Sequence, residues 1–199
     1  MGSIFSNLIK VIIAPYTFFQ EWFKEGGNTG QAALSLFALF GVAIGILAWL
    51  GAVFGPNAPG GLGFLGALAT FGIGFFAGFL FMLISWGYHG LLLWWGAGAQ
   101  ARPFAILAWH TSPFILAAAV AIILYIIALL GAGSVFSVGL GVLAVVSLIL
   151  ALGIVYGGLR AGPVPAGRAF GRWIGFELLL IVIIGLLAWL GISLVPSPL

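Results

Sequence analysis

The sequence predicts an all-α fold, a polytopic membrane bundle of five transmembrane helices with N-terminal interfacial amphipathic helices. Three observations predict it: hydrophobic residues make up 64% of the chain, charged residues make up only 5%, and the apolar residues form five separate blocks. A soluble domain carries roughly 25% charged residues. Six basic and three acidic side chains cannot cover a water-soluble fold of 199 residues, so lipid must surround most of the surface.

The apolar blocks give the five spans in order. A helix needs about 20 apolar residues to cross a hydrocarbon core of about 30 Å, and each block reaches that length. In the second block we expect the span to end near Trp86, with the remainder at the membrane boundary. In the third block, Pro113 should kink the helix or mark where an interfacial segment turns into the membrane. The predicted spans are residues 32–54, 64–86, 106–130, 135–158 and 173–195.

Residues 1–31 form a separate, less apolar segment ahead of the transmembrane domain, residues 32–199. Phe5, Leu8 and Ile12 recur at helical spacing, and Phe and Trp residues repeat in the same way further along the segment. Amphipathic helices of this kind typically lie in the membrane interface. The alternative is that these helices pack against the spans, and the sequence leaves both open.

The basic residues indicate the orientation. If the spans alternate in direction, all six basic residues fall on one side of the membrane. They are Lys10, Lys24, Arg102, Arg160, Arg168 and Arg172. Cytoplasmic loops carry the excess of Lys and Arg, so we expect a multi-pass protein of the cell (plasma or inner) membrane with a cytoplasmic N-terminus and an external C-terminus. No basic run occurs, and no nucleic-acid partner is expected.

Three glycine pairs lie inside apolar blocks at G-x-x-x-G spacing, which lets helix backbones approach closely. The pairs are Gly41/Gly45, Gly74/Gly78 and Gly153/Gly157. We expect most of them to pack helices of the same chain together, with contact to another subunit as the alternative.

Glu177 lies inside the fifth predicted span, where a carboxylate usually faces protein or water. We expect it to form an ion pair with Arg168 or Arg172 of the fourth loop. A proton or substrate site and a contact with a partner subunit are the alternatives.

His89 and His110 flank the second loop, and Arg102 lies between them. We expect both histidines to form interfacial hydrogen bonds, and Arg102 and the other arginines to contact anionic lipid headgroups. A metal or haem site is the alternative, but neither H-x-x-x-H nor E-x-x-H spacing occurs.

The candidate interaction or ion-pair residues are therefore Glu177, Arg168, Arg172, Arg102, His89 and His110. The sequence contains no hydrolase elbow, phosphate-binding glycine loop or nucleotide fingerprint. We accordingly predict no enzymatic activity, no catalytic or metal-ligating residue and no cofactor.

Three stretches resemble the Yip family (Ypt/Rab-interacting membrane proteins), in particular its bacterial and archaeal members. VIIAPYTFFQEW (residues 11–22) is similar to the proline-plus-aromatic entry segment. HGLLLWWGAGAQARPFAILAWHTSPFIL (residues 89–116) resembles the His, glycine-rich turn and aromatic-x-x-Pro that enter the third span, although Trp109 stands where Tyr is more usual. YGGLRAGPVPAGRAF (residues 156–170) resembles the Gly-Leu, short-loop, basic-Ala element before the last span.

The resemblance implies five spans and a non-catalytic multi-pass membrane protein. Such a protein acts through contacts with membrane lipids, with other integral membrane proteins or with itself. The first alternative is a small accessory or structural subunit of a larger respiratory or photosynthetic membrane complex. The second is a small-solute transporter, which would need polar residues near the membrane midplane.

Overall fold

The computed structural model describes residues 4–55, 63–131 and 133–194, with side chains up to residue 186, and this part of the chain is helical throughout except for short connections. The helices are α1 (Ile4–Ile13), α2 (Pro15–Lys24), α3 (Thr29–Phe54), α4 (Phe64–Ala97), α5 (Pro103–His110), α6 (Ser112–Leu129), α7 (Gly133–Ala161) and α8 (Ala166–Leu194). A 3-10 turn, Ala99–Ala101, precedes α5. The predicted end of the fifth span, residue 195, lies outside the described residues.

Five helical stretches are long and apolar enough to cross a membrane, which confirms the predicted all-α polytopic bundle. They are Thr29–Phe54, Phe64–Ala97, Pro103–Leu129, Gly133–Ala161 and Ala166–Leu186. The third stretch consists of α5 and α6 together.

The helices extend beyond the predicted spans at one end of the bundle, where α3, α5 and α8 begin and α4 and α7 end. We call this the basic end, because Arg102, Arg160, Arg168 and Arg172 lie there. The difference is largest for α4, which continues past Trp86 to Ala97; its 34 residues measure about 51 Å at 1.5 Å per residue. Hydropathy marks only the part of a helix that lies in hydrocarbon, whereas the backbone hydrogen bonds continue beyond it.

The third span is interrupted at Thr111, as Pro113 predicted. Proline has no N–H to donate and its ring clashes with the preceding turn, so the helical hydrogen bonds stop there. Two side chains satisfy carbonyl groups at the end of α5. Nδ1 of His110 lies 2.6 Å from the carbonyl oxygen of Leu107, and the Thr111 hydroxyl donates to the carbonyl oxygen of Ala108 at 2.8 Å. The break therefore fixes the position of His110.

Glycines bring α3 and α4 together. A Cβ on Gly41 would lie 2.8 Å from the carbonyl oxygen of Phe75, and one on Gly74 would lie 2.7 Å from Cβ of Ala48 and 3.0 Å from Cα of Gly45. Such distances leave no room for a side chain. The pairs Gly41/Gly45 and Gly74/Gly78 thus pack two helices of this chain against each other, as predicted. The third pair is different, because Gly157 instead lies against the start of α2.

The N-terminal helices pack on the bundle, which is the second of the two alternatives that the sequence left open. Phe18, Phe19 and Trp22 of α2 are buried, and the rings of Phe18 and Trp22 lie 4.9 and 5.2 Å from that of Trp109. Pro15 begins α2, as a residue without an N–H can. These three aromatic residues of α2 therefore belong to the core at the basic end.

Helix α8 packs on α4 at the basic end and carries Glu177 into the bundle. A Cβ on Gly96 of α4 would lie 3.3 Å from the backbone nitrogen of Trp173, so the two backbones approach closely there. From this contact the two helices run antiparallel. His89 lies seven residues before Gly96 on α4, and Glu177 lies four residues after Trp173 on α8. The two side chains therefore face each other.

Candidate functional site

The carboxylate of Glu177 has a hydrogen-bond donor at each oxygen. Nδ1 of His89 lies 2.5 Å from Oε1, and the Tyr88 hydroxyl donates to Oε2 at 3.3 Å. Both donors are neighbouring residues of α4, whereas Glu177 lies on α8. The carboxylate is mostly shielded, with 16% of its side chain exposed. This cluster joins the last helix to the rest of the bundle.

The predicted ion pair between Glu177 and Arg168 or Arg172 is wrong. The structure gives Glu177 a different partner, His89, and both arginines are exposed. The reason is that α8 begins at Ala166, so these arginines belong to the helix and not to a loop. At 3.6 residues per turn, separations of five and nine residues place them about 140° and 180° around the helix from Glu177.

His110 lies close to this cluster but does not bind Glu177. Its ring centroid is 5.9 Å from that of His89, and its Nδ1 is engaged by the Leu107 carbonyl. A carbonyl oxygen can only accept, so Nδ1 carries the proton and Nε2 of the neutral ring is an acceptor. Within the described residues, no group of three or more His, Cys, Asp or Glu residues is arranged to hold a metal ion.

One end of a cavity of about 470 Å³ is lined by Glu177, His89 and His110. We call this the polar end; Ser85 and Thr111 also line it. The other walls are mostly apolar and come from α3, α4, α6, α7 and α8, with Phe40, Phe114 and Leu152 among them. The cavity is an amphipathic space inside the bundle.

Arg102 and Arg160 contact the N-terminal helices. Nη1 of Arg102 donates to the carbonyl oxygen of Phe23 at 3.2 Å, and its guanidinium lies 5.0 Å from the Phe23 ring centroid. The guanidinium of Arg160 lies 5.1 Å from the ring centroid of Tyr16. For these two residues the structure shows protein contacts where lipid headgroups were expected. They attach α2 to the basic end.

Among the residues of the site that sequence reasoning missed are Ser85, Tyr88 and Trp173. Trp173 begins the predicted fifth span, precedes Glu177 by one helical turn and lines the same cavity, so helical spacing within that span would have found it. Tyr88 carries no comparable signal, because its hydroxyl meets Glu177 only through the packing of α4 on α8.

In comparisons with protein-family models, with curated proteins and with solved structures, nothing matches this chain. The resemblance to the Yip family therefore stays a prediction.

Proposed function

We propose that this multi-pass membrane protein is a non-catalytic protein of the Yip type, which acts through contacts with lipids and with other integral membrane proteins. One observation carries the proposal: α7 exposes a continuous apolar stripe. It consists of Val138, Val142, Val145 and Ile149, which are all exposed and recur at helical spacing. In a bilayer, such a stripe contacts lipid tails or the helices of a partner.

The order of the elements supports the family assignment. Two short helices come first, the second of them rich in aromatic residues; five apolar stretches follow, and a break occurs near the start of the third. The segments that resemble the family also contact one another, since Phe18 and Trp22 of the first pack on Trp109 of the second. The resemblance therefore covers residues that pack together.

We assign the basic end to the cytoplasm. Arg102 and Arg160 both contact α2, and Cβ of Arg172 would lie 3.4 Å from a Cβ on Gly96 at the end of α4. Basic residues from three separate segments thus lie at one end of the bundle. Because Lys and Arg are retained on the cytoplasmic side, the N-terminus would be inside and the C-terminus outside the cell membrane.

Photocrosslinking from the outer face tests the proposed contacts. A photoreactive amino acid at Ile149, which is exposed, should yield adducts with lipid and with specific membrane proteins. The same amino acid at Ile154, which is buried in the same helix, is the control and should yield adducts within the chain. If Ile149 also gives only such internal adducts, the proposal fails.

Purification in mild detergent distinguishes the proposal from the first alternative, an accessory subunit of a larger membrane complex. Mass spectrometry should find the protein by itself, as a homo-oligomer, or with partners below equal amounts. A fixed, stoichiometric set of other membrane proteins would identify an accessory subunit instead.

A further inference from the structure

The cavity between α4, α6, α7 and α8 opens through the side of the bundle. Four side chains line the cavity and are also exposed on the outer surface: Phe81 of α4, Leu148 of α7, and Leu178 and Ile181 of α8. These side chains therefore surround its mouth. A bilayer places lipid tails against such a surface, so a ligand would enter from the membrane. The volume of about 470 Å³ lies within the range of small-molecule sites, about 300–1,000 Å³.

The polar end offers hydrogen-bonding groups that the protein does not use. Ser85 lines the cavity, and its hydroxyl has no hydrogen bond to the described residues. Nε2 of His110 is a second open acceptor, since only Nδ1 is engaged. The indole N–H of Trp173 is buried and finds no acceptor in the described part of the chain. Buried polar groups normally have partners, and a ligand with a hydroxyl group would supply both a donor and an acceptor.

Charge and depth limit the head group of such a ligand. Among the described residues that line the cavity, none is Lys or Arg, and Glu177 supplies a carboxylate. A phosphate or carboxylate head would lack the cation that normally binds it.

Glu177 also lies four residues inside the fifth predicted span, which begins at Trp173, and this is about 6 Å along the helix axis. A charged head is costly to bring to that depth, whereas an uncharged, hydrogen-bonded head is not.

We propose that this cavity binds a membrane amphiphile with an uncharged hydroxyl head, which hydrogen-bonds to Ser85 and His110 while its apolar tail leaves between α7 and α8. The inference rests on the lipid-contact part of the proposed function and names the ligand class for it. It requires no chemical step, because the ligand is bound and released unchanged.

Photolabelling of the full chain in nanodiscs tests the proposal. The probe is a long-chain alcohol with a photoreactive group in its chain. Leu148→Trp should obstruct the mouth and lower labelling of the cavity residues by about tenfold, the change that accompanies about 1.4 kcal/mol of binding free energy. Ile149→Trp is the matched control, because Ile149 is the next residue of α7, is 62% exposed where Leu148 is 55% exposed, and does not line the cavity. Equal labelling of the two variants would overturn the proposal.

Competition among head groups tests the ligand class. Unlabelled alcohol should displace the probe at lower concentration than the amine or the carboxylic acid of the same chain length. Stronger displacement by either charged molecule would refute the uncharged head. Ser85→Ala should reduce the advantage of the alcohol over the matching alkane, and an unchanged advantage would contradict the assigned contact.

The two proposals fail separately. If the tryptophan variants label equally while crosslinks from Ile149 to lipid or protein persist, the cavity is not a binding site and the proposed function stands. If those crosslinks are absent, the proposed function itself fails.

Discussion

Glu177 depends on residues of another helix for its hydrogen bonds. His89 and Tyr88 each provide a donor to one carboxylate oxygen, and the arginines of its own helix point elsewhere. A carboxylate at this depth is costly unless it is hydrogen-bonded. The cluster therefore both satisfies Glu177 and fixes the rotation of α8 relative to α4.

A double-mutant cycle on His89 and Glu177 should show coupling. His89→Ala removes the shorter hydrogen bond, so Glu177→Gln should cost less stability in that background than in the unmodified protein. The expected difference is about 1.5–3 kcal/mol, the contribution of a hydrogen bond to a charged group. Unfolding in detergent micelles measures it. Arg172→Ala is the control and should leave the free energy of unfolding unchanged; a loss equal to that of His89→Ala would favour the arginine partner after all.

At the scale of elements, close backbone approach joins α3 to α4. Gly41 and Gly45 on one helix face Gly74 and Gly78 on the other. Helix association in lipid has little hydrophobic driving force and relies on van der Waals packing, which small residues permit. The packing of α3 on α4 thus fixes the position of α4, the helix that carries His89.

Substitution of alanine for two glycines of α4 should disturb packing at one position and not at the other. Gly74→Ala places a Cβ against Ala48, whereas the Cβ of Gly72→Ala would meet nothing within 4 Å. The gain in helix propensity is the same at both positions, so the difference between the variants isolates the overpacking. We expect Gly74→Ala to be less stable than Gly72→Ala by about 1–3 kcal/mol, measured as the difference in unfolding free energy. Equal stabilities would mean that α3 and α4 are further apart than the structure shows.

The second contact between helices is that of α2 with the bundle. Phe19 is fully buried, and a Cβ on Gly158 would lie 3.0 Å from its ring. Glycine at that position of α7 makes room for the helix. Arg102, just before α5, and Arg160, in the last turn of α7, then hold the two ends of α2.

Phe19→Ala should release the N-terminal helices. Truncation of a buried Phe costs about 3–5 kcal/mol, so the contact of α2 with the bundle should open more often. Limited trypsin digestion should then cut after Lys24 much faster than in the unmodified protein. Gln20→Ala, on the exposed side of the same helix, should be cut at the original rate. Resistance of both variants would mean that α2 is held by other contacts.

At the scale of the whole molecule, the basic residues of separate segments meet at one end of the bundle. Cytoplasmic placement of that end can be tested directly, because the chain has no cysteine. Single-cysteine variants Ala58→Cys and Pro198→Cys should react with a membrane-impermeant thiol reagent applied outside intact cells. Pro165→Cys should react only after the membrane is opened. The reverse pattern would invert the topology, and reaction of all three from outside would exclude five crossings.

Several features were predictable because they depend on local free energies. Transfer of apolar side chains into lipid fixes the number of membrane-spanning stretches, Pro113 fixes the break in the third, and the positions of the arginines relative to these stretches place them at one end. Gly41 and Gly74 predicted a close contact between helices, because helix backbones can approach closely only where the residues between them are small. Each of these features follows from the residues of one segment, whatever the neighbouring segments do.

The remaining features needed the tertiary structure. Helices α4 and α7 are apolar on nearly every side, so their sequences do not indicate which face turns inward. The pairing of Glu177 with His89, the burial of Phe19 under Gly158 and the cavity at Ser85 each depend on the rotation of two helices about their axes. That rotation results from packing between segments far apart in the chain, and packing is the one interaction that hydropathy and charge do not describe.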